Sequence, residues 1–449
     1  MPPSEAKAPE KPPATAKSPQ PVPAKPKPDS IAPAKVSAPP KRRRKPIPAA
    51  LKAIAGLVVV AVAFLVAAIV GGSGSKDETP TAAAPPPVAG SGEPEKTAAA
   101  QTAEQLGYPS FATNNTTRIG GSDPAANAAA VALAVYPSSV AGQRPAAVTL
   151  VDEESWQGAI AASVLMAAPI RAPVLISSAS GPPDATAQAL EALDPRGSKE
   201  TGGAQAFAVG AVEAPEGLKT RRVAGKDPAA IAAGIAALRD ELSGGPPAHL
   251  VVAPVDDPAF AMPAAAWAAR SGDPVLFAGA TRLPQATAAA LKRHAQTPVY
   301  VLGPSAAISS DVVRKIAKIG GPVRRVSGED PVANAIALAR YADGDFGWNV
   351  NDPGHGFVVA RGDSPLDAAA AAPLSGSGTW GPLLLTDSAG TLPVALREYL
   401  LDIKPGYTTD PTRAFYNHVW VIGDGEAIGV NQQAEIDGLA EVAKTRGEP

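Results

Sequence analysis

The chain has no cysteine among its 449 residues. That excludes disulfides and thiolate metal sites, though it does not fix a compartment. Aromatic residues are scarce at 4%, against 45% hydrophobic residues overall. A core must therefore be built from Ala, Val, Leu and Ile. Histidine is also rare. His249, His294, His355 and His418 show no metal-ligand spacing. No cofactor, metal or catalytic set is expected. No dinucleotide fingerprint is present either, because three spaced glycines followed by a later acid occur nowhere after a first strand.

Charge of either sign is not lacking, but it is split along the chain. Residues 1–46 carry eight Lys and three Arg against Glu5, Glu10 and Asp29, and hold 14 of the 50 prolines. Such a segment cannot bury a core, so a disordered Pro/Lys-rich tail is expected. Residues 71–449 hold 28 basic and 39 acidic residues. The two parts are suited to different surroundings.

Between them, Ala53 to Val70 runs 18 residues without a charge. As a helix this spans roughly 27 Å, enough for a bilayer core. Lys41-Arg42-Arg43-Arg44-Lys45 precedes it, which places the N-terminal flank in the cytoplasm and the bulk outside. A cleaved signal peptide would have a shorter basic region and a small-residue cleavage site directly after the apolar run. The basic run is read as a topology signal in contact with anionic lipid, with no nucleic-acid role. The divisions are a tail at 1–46, a transmembrane anchor at 47–70, a Gly/Ser/Pro/Ala linker at 71–110, repeats at 111–217, 218–321 and 322–442, and an end at 443–449.

The repeats begin alike. Arg118-Ile119-Gly120-Gly121-Ser122-Asp123-Pro124 recurs as Arg222-Val223-Ala224-Gly225-Lys226-Asp227-Pro228 and as Arg325-Val326-Ser327-Gly328-Glu329-Asp330-Pro331. Self-similarity of this kind marks copies of one unit. Asp before Pro predicts helix starts at Asp123, Asp227 and Asp330. Continuous apolar strands follow in each copy, such as Leu250-Val251-Val252-Ala253, Pro274-Val275-Leu276-Phe277 and Val299-Tyr300-Val301-Leu302-Gly303. Strands of this kind alternating with Ala-rich helices predict an α/β fold, with three tandem Rossmann-like modules built on parallel sheets. Gly210, Gly303 and Gly423 are expected to permit tight turns at strand ends.

These residues resemble the cell wall binding repeat 2 family of Gram-positive bacteria. The likeness is clearest in repeat 3, in Arg325, Gly328 and Asp330, in Ser364-Pro365-Leu366-Asp367-Ala368-Ala369, in Leu383-Leu384-Leu385-Thr386, and in Val421-Ile422-Gly423 with Glu426-Ala427-Ile428. Repeat 2 adds Ala306-Ala307-Ile308-Ser309. The family usually has Arg-Tyr after the Asp, where this chain has Pro. In repeats 1 and 2, Trp156-Gln157-Gly158-Ala159 and Ala259-Phe260-Ala261-Met262 stand in place of the Asp-Ala helix start. The resemblance implies three modules packed as a pseudo-threefold unit that binds an anionic cell-wall glycopolymer, or another envelope component, without covalent attachment.

Arg118, Arg222 and Arg325 are the expected ligand contacts, because the repeat makes them equivalent and Arg suits phosphate and carboxylate groups. Asp123, Asp227, Asp330 and Asp367 stand with them. The plainer reading pairs each Arg with its nearby Asp to hold the module together. Two other functions compete with polymer binding. One is an extracytoplasmic scaffold that docks a protein partner. The other is a serine hydrolase using Ser364 with Asp352 and His355, although the order of those residues is reversed for that class.

Overall fold

The computed structural model describes residues 111–445. The expected tail, the anchor at 47–70 and the linker lie outside them. Among the described residues, no helix is long and apolar enough to cross a membrane.

Short strands β1 (Phe111–Ala112) and β2 (Thr116–Ile119) come first, followed by helix α1 (Pro124–Val135). The first module continues with β3 (Val148–Asp152), α2 (Trp156–Ala162), β4 (Val174–Ser177), α3 (Asp184–Leu193), β5 (Ala206–Val209) and β6 (Thr220–Val223). The second has α4 (Pro228–Ser243), β7 (Leu250–Pro254), α5 (Pro258–Ala261), α6 (Pro263–Ser271) and β8 (Val275–Ala278). It ends with α7 (Gln285–Arg293), β9 (Val299–Leu302), α8 (Ser310–Ala317) and β10 (Val323–Val326). The third has α9 (Pro331–Arg340), β11 (Gly356–Arg361), α10 (Pro365–Gly376), β12 (Leu383–Thr386) and α11 (Val394–Asp402). Then come β13 (Gly406–Tyr407), β14 (His418–Ile422), α12 (Val430–Ala440) and β15 (Ala443–Lys444).

The Asp-Pro pairs start helices as expected. The side chains of Asp123, Asp227 and Asp330 accept from the backbone N–H of Ala126, Ala230 and Ala333 at 2.9, 2.8 and 2.7 Å. Each satisfies an otherwise orphaned donor, a contribution of about 1 kcal/mol per cap. The motif glycine has a steric cause. A Cβ on Gly225 would lie 2.6 Å from Ile231 N, and one on Gly328 would lie 2.2 Å from Ala333 C, inside the first turn of the helix each precedes.

Three larger sheets form, with orders β4-β3-β5-β6, β8-β7-β9-β10 and β12-β11-β14-β2-β1, beside a two-stranded pair β13–β15. All pairs within them are parallel except β1 with β2. Each sheet is therefore completed by the arginine-bearing strand of the following repeat. Arg222 on β6 stands opposite Ala208, and Arg325 on β10 stands opposite Val301. The third sheet takes β2 of the first repeat instead, with Arg118 opposite Val421. The repeat in sequence and the sheet in space are offset by one strand. The physical reason lies in chain direction: a parallel strand joins the edge to which its connection delivers it, and the Asp-capped helix then leads into the next module.

The modules meet through their alanine-rich helices. Helix α10 packs against both α1 and α6, and also against α2 and the 3-10 turn Ser163–Met166 that follows it. One continuous core cluster includes Ala128, Leu165, Ala266 and Ala370, drawn from all three repeats. Small side chains let the backbones approach closely. A Cβ on Gly376 would lie 2.8 Å from Ala269 O and 3.0 Å from Met166 Cγ.

Candidate binding crevice

The three motif arginines project from equivalent strands, and each reaches the loop beyond its neighbouring strand. Arg118 is 3% exposed. Its Nη1 donates to Gly423 O at 2.9 Å, its Nη2 to Ile428 O at 2.5 Å, and its Nε to Gln433 Oε1 at 2.9 Å. Burial holds its pKa below the usual arginine value, and the nearby Asp424 opposes that shift. Arg325 is half-buried and donates to Gly303 O and Ile308 O. Arg222 is exposed, and Val212 O accepts from it at 2.7 Å. Its loop supplies less because no helix follows β5, whereas α8 and α12 follow β9 and β14. The arginines thus fasten strand-end loops. Their acceptors are backbone carbonyls and, for Arg118, the Gln433 side chain as well, not the motif aspartates, which cap helices. Gly210, Gly303 and Gly423 have φ of 82°, 89° and 94°, the left-handed region that frees each strand end to turn.

The fourth residue after each motif Asp touches the second helix of a neighbouring module. Asn127 Nδ2 donates to Asp367 Oδ1 at 2.8 Å, and Asn127 Oδ1 accepts from Gly121 N at 2.8 Å. At the equivalent position, Ile231 Cγ2 lies 3.7 Å from a Cβ built on Gly158. In the third copy, Asn334 Nδ2 donates to Phe260 O at 3.3 Å. This accounts for the divergent helix starts at Trp156 and Ala259: the partner on the facing module changes, and the aspartate is needed only opposite Asn127. Asp-Pro-x-x-Asn in repeats 1 and 3 was the visible signal for these asparagines.

Asp367 is 4% exposed. Burial pushes its pKa above the ordinary aspartate value, against the hydrogen bonds from Asn127 and Ser364, and Asp123 and Asp363 add to the upward push. The folded state therefore holds the proton more tightly than the unfolded state, and stability from this group is lost as pH rises from about 3.9. Asp367→Asn keeps the oxygen that Asn127 meets. It is expected to raise the melting temperature at pH 7, with the gain over wild type shrinking as pH falls toward 4. Thermal scans at both pH values check this, and a gain independent of pH would refute the assignment.

Two openings flank the loop Gly362-Asp363-Ser364 at the C-terminal ends of the third sheet. This is the end of a parallel sheet where ligands of open α/β folds sit. The smaller is about 190 Å³ and is lined by Asp123, Asn127, Arg361, Asp363, Ser364 and Asp367. The larger is about 680 Å³ and is lined by Asp330, Val332, Asp363, Leu385, Asp387, Val394 and Glu398 among others. The crevice thus gathers Asp123, Asp367 and Asp330. It does not gather Arg118, Arg222, Arg325 or Asp227. Asp387 and Glu398 join it without any sequence signal, as do Arg361 and Asp363 of the tripeptide Arg361-Gly362-Asp363, which reads in sequence as a turn after a strand. Arg361 pairs with Asp363, so the Arg-Gly-Asp tripeptide is a turn.

Ser364 and His355 cannot act as nucleophile and base. They flank opposite ends of the six-residue β11, about 20 Å apart. His355 Nε2 instead meets Asp352 Oδ1 at 3.1 Å. Among the described residues, no group of three or more His, Cys, Asp or Glu could hold a metal ion.

Comparison with known proteins bears on this geometry. Residues 222–313 and 325–432 match the family described as Cell wall binding domain 2 (CWB2). The matched segments begin at Arg222 and Arg325 and include the capped helices that follow, and the match supports a cell-wall-binding protein. In structure the chain is similar to Cwp8 from Clostridium difficile, with 20% identity and a TM-score of 0.56, over 73% of this chain and 52% of that one. It is also similar to Cwp6 from Clostridium difficile, with 18% identity and a TM-score of 0.57, over 73% of this chain and 47% of that one. The chain spans about half the length of each, and at this identity the likeness shows the fold alone. No curated protein matches the chain in sequence.

Proposed function

We propose that this chain is an envelope protein that holds a cell-wall glycopolymer non-covalently in the crevice at the C-terminal ends of its third sheet. The single observation that carries the reading is the 680 Å³ opening built from the motif residue Asp330 and the loops of a CWB2 repeat. Its lining includes Asp330, Asp363, Asp387 and Glu398 and no basic residue. Carboxylates repel phosphate but accept well from hydroxyl groups. The polymer is accordingly held by its sugar hydroxyls, not by the anionic groups that the family resemblance led us to expect. The modules pack as a pseudo-threefold unit outside the cytoplasm. The uncharged run Ala53 to Val70, with its basic flank, serves as the membrane anchor.

Asp387 and Glu398 are exposed, so changing them leaves packing intact. The Asp387→Ala, Glu398→Ala double variant is expected to be retained about tenfold less well on isolated cell walls, given hydrogen bonds to charged groups worth about 1.5–3 kcal/mol gross. Wild-type retention should hardly change between about 0.05 and 0.5 M salt, since no ion pair with the polymer is involved. Equal retention of the double variant, or release of wild type by salt, would sink the reading.

A further inference from the structure

Tryptophan is concentrated in one place. Of Trp156, Trp267, Trp348, Trp380 and Trp420, the middle three line a single cleft of about 400 Å³. The residues around it precede strands: His249 before β7, Asp273 before β8, His355 before β11 and Trp380 before β12. The cleft therefore opens at the N-terminal ends of strands of the second and third sheets. The crevice described above opens at the C-terminal ends.

One wall is rigid. Trp267 Nε1 donates to Asp273 Oδ2 at 2.9 Å, and the same carboxylate accepts from His249 N at 3.0 Å and faces His249 Nδ1 at 3.1 Å. Trp267 also packs on Phe346 and Trp348, with ring centroids 4.8 and 5.5 Å away. Asp273 is thus fully engaged. Trp348 Nε1 is different: it is buried and has no acceptor among the described residues.

The opposite wall is exposed yet fixed. Trp380 is 55% exposed and sits at φ 50°, a left-handed conformation that a bulky residue adopts only at a cost of about 1–3 kcal/mol. Its N–H donates to Leu374 O at 3.2 Å. The next residue must be glycine, because a Cβ on Gly381 would lie 1.7 Å from Gly356 O. Phe415 and Tyr416, the other exposed aromatics among the described residues, precede β14. That strand lies two places from β12, roughly 10 Å along the same edge. At the cleft, Arg270 and Asp345 are exposed and belong to no ion pair among the described residues.

A sugar ring fits this chemistry. It offers an apolar C–H face to an indole, together with hydroxyls that both donate and accept. The cleft supplies indole surface, the donor Arg270 and the acceptor Asp345. Its volume lies within the range of about 300–1,000 Å³ usual for small-ligand pockets. A purely apolar ligand would leave the rim groups unmatched. We propose that this cleft binds a pyranose ring stacked on Trp380, with ring hydroxyls meeting Arg270 and Asp345. The site gives the array a second saccharide contact, and it rests on the wall-polymer reading for the source of the sugar.

The full-length protein is titrated with the methyl glycosides of glucose, galactose, mannose and their three N-acetylated 2-amino counterparts, and tryptophan fluorescence is read. At least one glycoside should give a saturable change with Kd in the millimolar range, about what a single ring contact of roughly 4 kcal/mol provides. Trp380→Ala should weaken it about tenfold or more while thermal unfolding stays unchanged. Arg270→Ala removes the rim donor, and should weaken it several-fold. The Asp387→Ala, Glu398→Ala variant should still bind the glycoside, which separates this cleft from the crevice. No saturable change with any of the six, or a change that survives Trp380→Ala, overturns the proposal and leaves the wall-binding reading standing.

Discussion

Replacing Arg118 with alanine is expected to lower the free energy of unfolding by about 3 kcal/mol or more, the largest effect among the three motif arginines. The side chain is buried and donates to Gly423 O, Asp424 O, Ile428 O and Gln433 Oε1. Removing it strands several buried acceptors, each at about 1–3 kcal/mol, partly offset by water entry and by relief of the arginine's own desolvation. Lysine should not rescue it, because one ammonium cannot reach the spread of acceptors that a planar guanidinium spans. The same change at exposed Arg222, with a single carbonyl partner, should cost about 0.5–1 kcal/mol. Arg325 should fall between. Urea midpoints for the three alanine variants give the order directly. Equal losses at Arg118 and Arg222 would show that the buried latch is not what closes the third sheet.

A second large effect is expected from Gly376→Ala. Its Cβ would meet Ala269 O at 2.8 Å, backbone that cannot move aside as a side chain can, and Met166 Cγ at 3.0 Å. Overpacking of this kind costs typically 1–3 kcal/mol. Gly438 provides the opposite case. It lies within α12, and a Cβ there would have no heavy atom within 4 Å. Gly438→Ala should therefore stabilise by about 0.5–1 kcal/mol through helix propensity and a less flexible unfolded chain. One substitution type with opposite signs at two helical positions isolates the close approach of the modules as the cause. Destabilisation of similar size at both positions would refute it.

Much of the local architecture was legible from the residues. Asp-Pro announced each capped helix, and uninterrupted apolar runs announced parallel strands buried on both faces. Both signals are local, which is why they could be read. The offset between repeat and sheet was not legible, because nothing within Thr220–Val223 or Val323–Val326 says which neighbour they will pair with. The arginines were recognised as equivalent, but their carbonyl partners carry no side-chain signature. The crevice acids Asp387 and Glu398 come together only through folding, since their sequence neighbours form no motif. Asn127 was visible at a fixed distance from Asp123. Its partner Asp367 stood out within its own repeat motif, but the pairing of the two across 240 residues did not.

The borrowed strand has a consequence for how the molecule is made. Thr117 meets His418 across 301 residues, and Asn115 N reaches Asp437 at 2.7 Å. During synthesis the first strand emerges long before its partners exist. Its edge must wait until residues 418–422 have left the ribosome, and such long-range pairings form slowly. A nascent chain that stops short of residue 418 is left with an unpaired strand edge, a ready template for association with other chains.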